Sequence, residues 1–301
     1  MLGIRHRCGT NIVQETLSRH PDCGAHDDPE DFLVSGLPVL AAYVDRVMQR
    51  RRSRQPRRDL SDEISHALGC ALEDYVAGHV LPGDDQPAAP SRVISKTPSV
   101  EGLPYFRSFL PDAYLVILIR DGRAILDSAM RSFDAEFEHG CRRFAKAADI
   151  VTDFLDTDTN PERTLLVRFE DFLDDKRSFV ERLLRFIGVD DARYPYDELA
   201  SLPVIGSSEL KAEGEGSVHW RPVAADSGFD PRRRFESWSA EKLDRFDWLA
   251  GEQLARLGYP RSSPASPLAK LRNLALDLNP LYLSRRLKRT LRAATPGRRG
   301  R

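Results

Sequence analysis

The sequence predicts an α/β domain built on a central parallel sheet flanked by helices. Three observations carry that prediction. Residues 114–119, YLVILI, are continuously apolar and β-rich, the pattern of a strand covered on both faces. A second such run, TLLVR at 164–168, follows two helical stretches, and alternation of this kind belongs to parallel sheets. The chain also opens on a short apolar segment that turns through Gly9 into a helical pattern, the layout of a phosphate-binding loop on a first strand.

Taken in order, residues 1–5 form the short first strand and RHRCGTN the turn after it. Ile12, Val13 and Leu17 then recur at helical spacing, with Thr10 or Asn11 placed to cap the helix, and His20-Pro21 ends it. Residues 21–32 read as a loop. Helices follow at about 35–50 and 59–79, separated by a run that holds six arginines between Arg50 and Arg58. A Pro/Gly/Asp-rich loop covers 81–91. Residues 92–95 read as a strand and 100–110 as a helix; the strand at 114–119 is followed by helices at 121–132 and 137–155. The strand at 164–168 precedes a helix at 178–187. A polar loop spans 203–235, long enough to suggest a functional segment, and a helix at 239–257 ends at Gly258. Residues 1–260 thus make one domain, and 261–301 a helical, basic extension. Within it, Leu283, Leu287 and Leu291 share one face of a helix at 281–293 that carries five basic residues elsewhere. Such a helix suits contact with an anionic membrane surface, or packing on its own domain.

Composition narrows the function. With 41% hydrophobic and 30% charged residues the 301-residue chain is globular. A net charge of −1, from 45 basic and 46 acidic residues, argues against a nucleic-acid partner. Most of the positive charge is arginine, whose planar fork suits phosphate and sulfate oxygens. The run at 114–119 is far short of the ~20 apolar residues of a membrane span, and MLGIRHR is no export signal, so the expectation is a cytoplasmic protein. Cys8, Cys23, Cys70 and Cys141 form no CxxC pair and imply no disulfide framework. His20, Cys23 and His26 have metal-ligand spacing, with Cys8 a conceivable fourth, but lack the two separated ligand pairs of a structural zinc site; no metal is expected.

Three segments carry chemistry. In GIRHRCGTN, backbone N–H groups and the positive helix end would face an anion, with Arg5 and Arg7 adding charge and Thr10 and Asn11 adding donors. The Walker lysine is missing, which disfavours a P-loop-like nucleotide or sugar kinase. Arg120 falls at the carboxyl end of the best strand, where open α/β sheets bind ligands, and Ser128 lies about two helical turns beyond it. Lys96 stands at the end of the 92–95 strand, a compact cation able to meet a leaving-group oxygen.

These residues resemble the sulfotransferase family that uses 3′-phosphoadenosine 5′-phosphosulfate (PAPS). Arg5 to Asn11 followed by His20-Pro21 resembles its 5′-phosphosulfate loop, and Arg120-Asp121-Gly122-Arg123 with Ser128 its 3′-phosphate motif. Ser95-Lys96-Thr97-Pro98 and Arg168-Phe169-Glu170-Asp171 resemble two further elements, in family order. Cys8 and Asn11 stand where serine and threonine are usual, and Ser95 where an acidic residue is common. The resemblance implies a P-loop-like phosphosulfate-binding loop and transfer of a sulfuryl group from PAPS, without a metal, to a hydroxyl or amine. The acceptor would be a small molecule, carbohydrate or lipid. Arg7, Cys8, Gly9, Thr10 and Asn11 would hold the 5′-phosphosulfate, and Arg120, Ser128 and Arg232 the 3′-phosphate. Lys96 would neutralise the leaving group. Cytosolic members place a basic histidine just after the lysine, where this chain has Pro98-Ser99. Carbohydrate- and lipid-type members use a glutamate after the His-Pro pair, which makes Glu30 the expected base, ahead of Asp31 and His26. A non-catalytic nucleotide-binding protein is the remaining alternative.

Overall fold

The computed structural model describes residues 1–27, 30, 32–52, 58–80, 90–201, 230–262 and 266–278. Asp31, the helix expected at 281–293 and most of the loops at 81–91 and 203–235 lie outside them.

The sheet is parallel throughout. Strand β1 (Leu2–Gly3) pairs with β4 (Leu115–Ile119), and β4 with β5 (Thr164–Arg168). Strand β2 (Cys23–Ala25) pairs with β3 (Arg92–Ile94). The chain beyond β3 runs beside β1: Gly3 N donates to Thr97 O at 2.9 Å and Thr97 N to Met1 O at 3.0 Å. The order across the molecule is therefore β2-β3-β1-β4-β5. Every residue of β4 is buried, as its unbroken apolar run requires of a central strand. The direction of strand addition reverses between β1 and β4, so the crevice at their carboxyl ends is the place where this class of sheet takes a ligand.

Helices cover both faces. Helix α1 (Thr10–Ser18) returns from β1 and buries Ile12, Val13 and Leu17. Helices α2 (Leu37–Arg52) and α3 (Ser61–Gly78) pack together, and α3 also packs on α4 (Phe106–Phe109). Helix α5 (Gly122–Phe133) follows β4. Helix α6 (Phe137–Thr157) buries Cys141, Phe144, Ala148, Val151 and Phe154 at three- and four-residue intervals, and lies along α9 (Ala240–Arg256), with the Phe144 and Phe246 rings 6.1 Å apart. Helices α7 (Phe169–Asp174) and α8 (Lys176–Phe186) follow β5. None of the described helices is long and apolar enough to cross a membrane.

Three details differ from the sequence reading. The cap of α1 is neither Thr10 nor Asn11 but Gly9, in the left-handed region. Residues 23–25, expected to be loop, form an edge strand. The Arg168–Asp171 stretch turns directly into the short α7. Beyond residue 260, α10 (Pro267–Leu278) packs on α9: Arg245 donates to Asn273 O and to Asp277 Oδ1, and Trp248 Nε1 donates to Asp277 Oδ2.

Candidate active site

The loop between β1 and α1 is set by two backbone positions. Arg7 has φ +74° and Gly9 φ +102°; the first is unusual for a side-chain-bearing residue, the second natural for glycine. A Cβ on Gly9 would stand 2.3 Å from the Phe169 ring, so glycine is required there for space as well as for conformation. Helix α1 then starts with no side-chain cap, which leaves its first-turn amides turned to the loop.

Arg7, Ser128 and Arg120 converge above it. Arg7 Nε donates to Ser128 Oγ at 2.9 Å, and Arg120 Nη1 donates to Arg7 O at 2.8 Å. The other arm of Arg120 donates to Pro231 O at 2.6 Å, and its guanidinium lies 5.0 Å from the centre of the Phe169 ring. Arg120 is 5% exposed. Burial first, and then the charge of Arg120, push Arg7 down to about 10. One buried and one partly buried cation pressed together in this way favour an anion between them.

The segment after β5 supports this corner. Phe169 packs under Gly9 and beneath Arg120. Glu170 accepts from Asp121 N at 3.0 Å and from the Tyr259 hydroxyl at 2.7 Å. Asp121 caps α5 by accepting from Arg123 N and binds the Arg123 guanidinium through both oxygens, at 3.0 and 2.6 Å. Burial, followed by the carboxylate of Glu170, raises the Tyr259 phenol well above its ordinary value, so it remains a donor.

On the other side of the loop, Lys96 is 2% exposed and its Nζ donates to Asn11 Oδ1 at 2.7 Å. The ammonium is thereby tied to the first turn of α1. Thr10 is buried, its methyl group facing Gly3. Cys8 faces inward: it is fully buried in the apolar core, its amide donates to Arg5 O, and burial drives the thiol up to about 11. Its sulfur packs against Gly3 of β1. Arg232 is bound at the surface by Asp174 and Asp230, while the carbonyl of its neighbour Pro231 reaches Arg120.

Glu30 and His6 stand together, with Oε2 3.8 Å from Nδ1. His6 also lines a cavity of about 170 Å³ with Phe32, Ser99, Glu101, Arg143 and Lys146. Burial, then the charges of Arg5, Arg143, Lys96 and Arg7, lower its pKa below the ordinary imidazole value. Of the other groups considered, His26 is buried with its ring 5.9 Å from Tyr75. His20 Nε2 lies 2.8 Å from Asp190 O. Among the described residues no three His, Cys, Asp or Glu side chains are grouped to hold a metal.

The structure thus brings together Arg7, Gly9, Asn11, Lys96, Arg120 and Ser128. Sequence reasoning missed His6, Phe169 and Glu170 as site residues. The signal for His6 was a titratable ring between two arginines; for Phe169 and Glu170 it was an aromatic and an acid placed directly after a buried strand.

The sulfotransferase family model matches residues 5–193, well over half of the chain. Protein-tyrosine sulfotransferase 1 of Danio rerio is 24% identical over 274 residues, covering 86% of this chain and 71% of that protein. Among solved structures, a sulfotransferase domain from the curacin biosynthetic pathway is 14% identical, covers 92% of this chain and 96% of its own, and superposes with a TM-score of 0.43. A sulfotransferase from Alicyclobacillus acidocaldarius is 18% identical, covers 85% of this chain and 97% of its own, and gives 0.41.

Proposed function

The chain belongs to the sulfotransferase family, and from that premise we propose that it transfers a sulfuryl group from PAPS to a hydroxyl or amine acceptor by in-line displacement. The observation that carries this reading is the Arg7–Ser128–Arg120 constellation at the carboxyl ends of β1 and β4. It supplies two crowded guanidinium groups and a hydroxyl beside an uncapped helix start, a donor set suited to a nucleotide with phosphate groups at both ends.

Each residue then has a task. Gly9 and the first turn of α1 receive the 5′-phosphosulfate, with Arg7 over it. Arg120 and Ser128 receive the 3′-phosphate. As the acceptor oxygen attacks sulfur, the bond from sulfur to the bridging phosphate oxygen breaks, and charge grows on that oxygen. Lys96, held against α1 by Asn11, stabilises the growing charge where it appears, the kind of preorganised electrostatics that lowers a barrier most. Phe169 and Glu170 keep the two arginine-bearing corners in register. The Danio rerio relative is named for tyrosine, so a phenolic hydroxyl joins carbohydrate and lipid hydroxyls as an acceptor to be tried.

Titration calorimetry tests the donor. The product nucleotide, 3′-phosphoadenosine 5′-phosphate, should bind more tightly than 5′-AMP. Arg120→Ala should weaken its binding and erase most of that preference, by about ten- to a hundredfold, since charged hydrogen bonds are worth ~1.5–3 kcal/mol. Ser128→Ala should act in the same direction with a smaller effect. Equal affinity of the wild type for the two nucleotides would sink the assignment.

A further inference from the structure

The reaction needs a group to take the acceptor's proton, and the pair that closes the Lys96 turn does not supply it: Pro98 and Ser99 line the cavity beside the loop but neither is a base at neutral pH. His6 lines the same cavity, and its side chain is 44% exposed. Glu30 is not among the lining residues; it stands 3.8 Å from Nδ1 of the ring. We propose that His6 is the catalytic base of the transfer and that Glu30 is its positioning residue. This rests on the sulfuryl-transfer reading above and assigns the proton-accepting role within it.

The geometry gives each nitrogen its own task. With Nδ1 turned to the Glu30 carboxylate, Nε2 is the nitrogen left for the acceptor. As the acceptor oxygen bonds to sulfur, its proton passes to Nε2, and the electron pair of the breaking sulfur–oxygen bond leaves on the 5′-phosphate. The imidazolium so formed pairs with Glu30 and returns its proton to water after product leaves. Atoms and charge balance with no further reactant.

The surroundings suit a base. Arg5 and Arg7 flank His6 in the loop, and the charges of Lys96, in the chain just beyond β3, and of Arg143, on α6, also act on it. Against them stand Glu30 and, farther along the cavity wall, Glu101, with Lys146 beside Arg143. Partial burial, and then the excess of cations, keep the ring neutral to lower pH than a free imidazole, so it is ready to accept a proton under ordinary conditions.

The test uses the full chain with labelled PAPS and three acceptors: 4-nitrophenol, a tyrosyl peptide and N-acetylglucosamine. His6→Gln should lower kcat by about 10²–10⁴-fold and remove the acidic limb of the kcat/KM profile, with nucleotide affinity held within about twofold. That affinity also certifies the fold of each variant, and His6→Asn should repeat the result. Glu30→Gln should lower kcat less and move the acidic limb to lower pH, because the imidazolium loses its anion. In the His6→Gln background Glu30→Gln should add nothing. The proposal is overturned if His6→Gln keeps at least half of wild-type turnover, or if Glu30→Gln is as damaging with His6 absent as with it present. A wild type that binds the nucleotide yet sulfates none of the three acceptors overturns the transfer reading, and His6 falls with it. Failure to bind the nucleotide at all tells against the donor assignment instead.

Discussion

Gly9 carries two demands at one position: a backbone in the left-handed region and the ring of Phe169 where a side chain would begin. Alanine there meets both a conformational penalty of about 1–2 kcal/mol and a collision with a buried ring that also lies under Arg120. Gly9→Ala should therefore lose at least about 2 kcal/mol of stability in urea unfolding and bind the product nucleotide more weakly. Full nucleotide affinity in that variant would separate the loop from the anion. At this scale the sequence was informative where chemistry depends on residue type plus position in a strand–turn–helix. Arg7, Gly9, Arg120 and Ser128 could be read that way, because the loop and the end of a buried strand are both visible as patterns. For Phe169 and Glu170 the sequence offers a motif directly after a buried strand but not the role: each acts across the sheet on β4 and the loop, and a local window does not record that contact. For Cys8 the neighbours in the loop suggest a ligand contact, and the packing adds that its side chain has no exposed surface.

Polar clasps help to fix the elements to one another, and the one at the end of α6 is open to a direct test. Asp158, just past that helix, accepts from Arg107 Nε at 2.9 Å and from the Thr164 hydroxyl and Asn160 N–H, while Arg107 also donates to Pro111 and Ala113 carbonyls. Burial works to raise the Asp158 pKa, but these hydrogen bonds outweigh it and hold the carboxyl below its ordinary 3.8. A carboxyl depressed in the folded state adds stability that is complete above the unfolded value and is lost as pH falls through the folded one. Asp158→Asn should cost about 3–5 kcal/mol near neutrality, and the gap to wild type should close in acid below the folded pKa, as read from urea curves across pH. A constant gap at all pH values would deny that ionisation matters to the clasp. Long elements such as β4, α6 and α9 were legible because their burial repeats over several turns or fills a whole strand. Strand β2 was not: three residues, CGA, at the sheet edge carry no period, and only their pairing with β3 makes them a strand. The six-residue α7 escaped for the same reason.

Across the whole molecule, alternation of strands and helices announced a parallel sheet, yet the order β2-β3-β1-β4-β5 is set by which way each crossover passes, and a linear pattern does not contain that choice. It is this order that seats the Arg7 loop next to the end of β4. The same arrangement places Cys8 beneath the loop, with no exposed surface and a thiol raised to about 11. A sulfhydryl in that position is a clock. It can meet a reagent such as 5,5′-dithiobis(2-nitrobenzoate) only when the floor of the pocket lifts, so its labelling rate counts openings that leave the rest of the fold intact. In a Cys70→Ser chain, which removes the one cysteine that is not buried, Cys8 should react slowly. Saturating product nucleotide should slow it further, in proportion to one plus the ratio of ligand concentration to Kd, and leave Cys23 and Cys141 to report only larger openings. A Cys8 rate indifferent to the nucleotide would mean that the loop admits solvent without releasing its guest; a rate that falls as expected would give the lifetime of the closed pocket without any acceptor having been found.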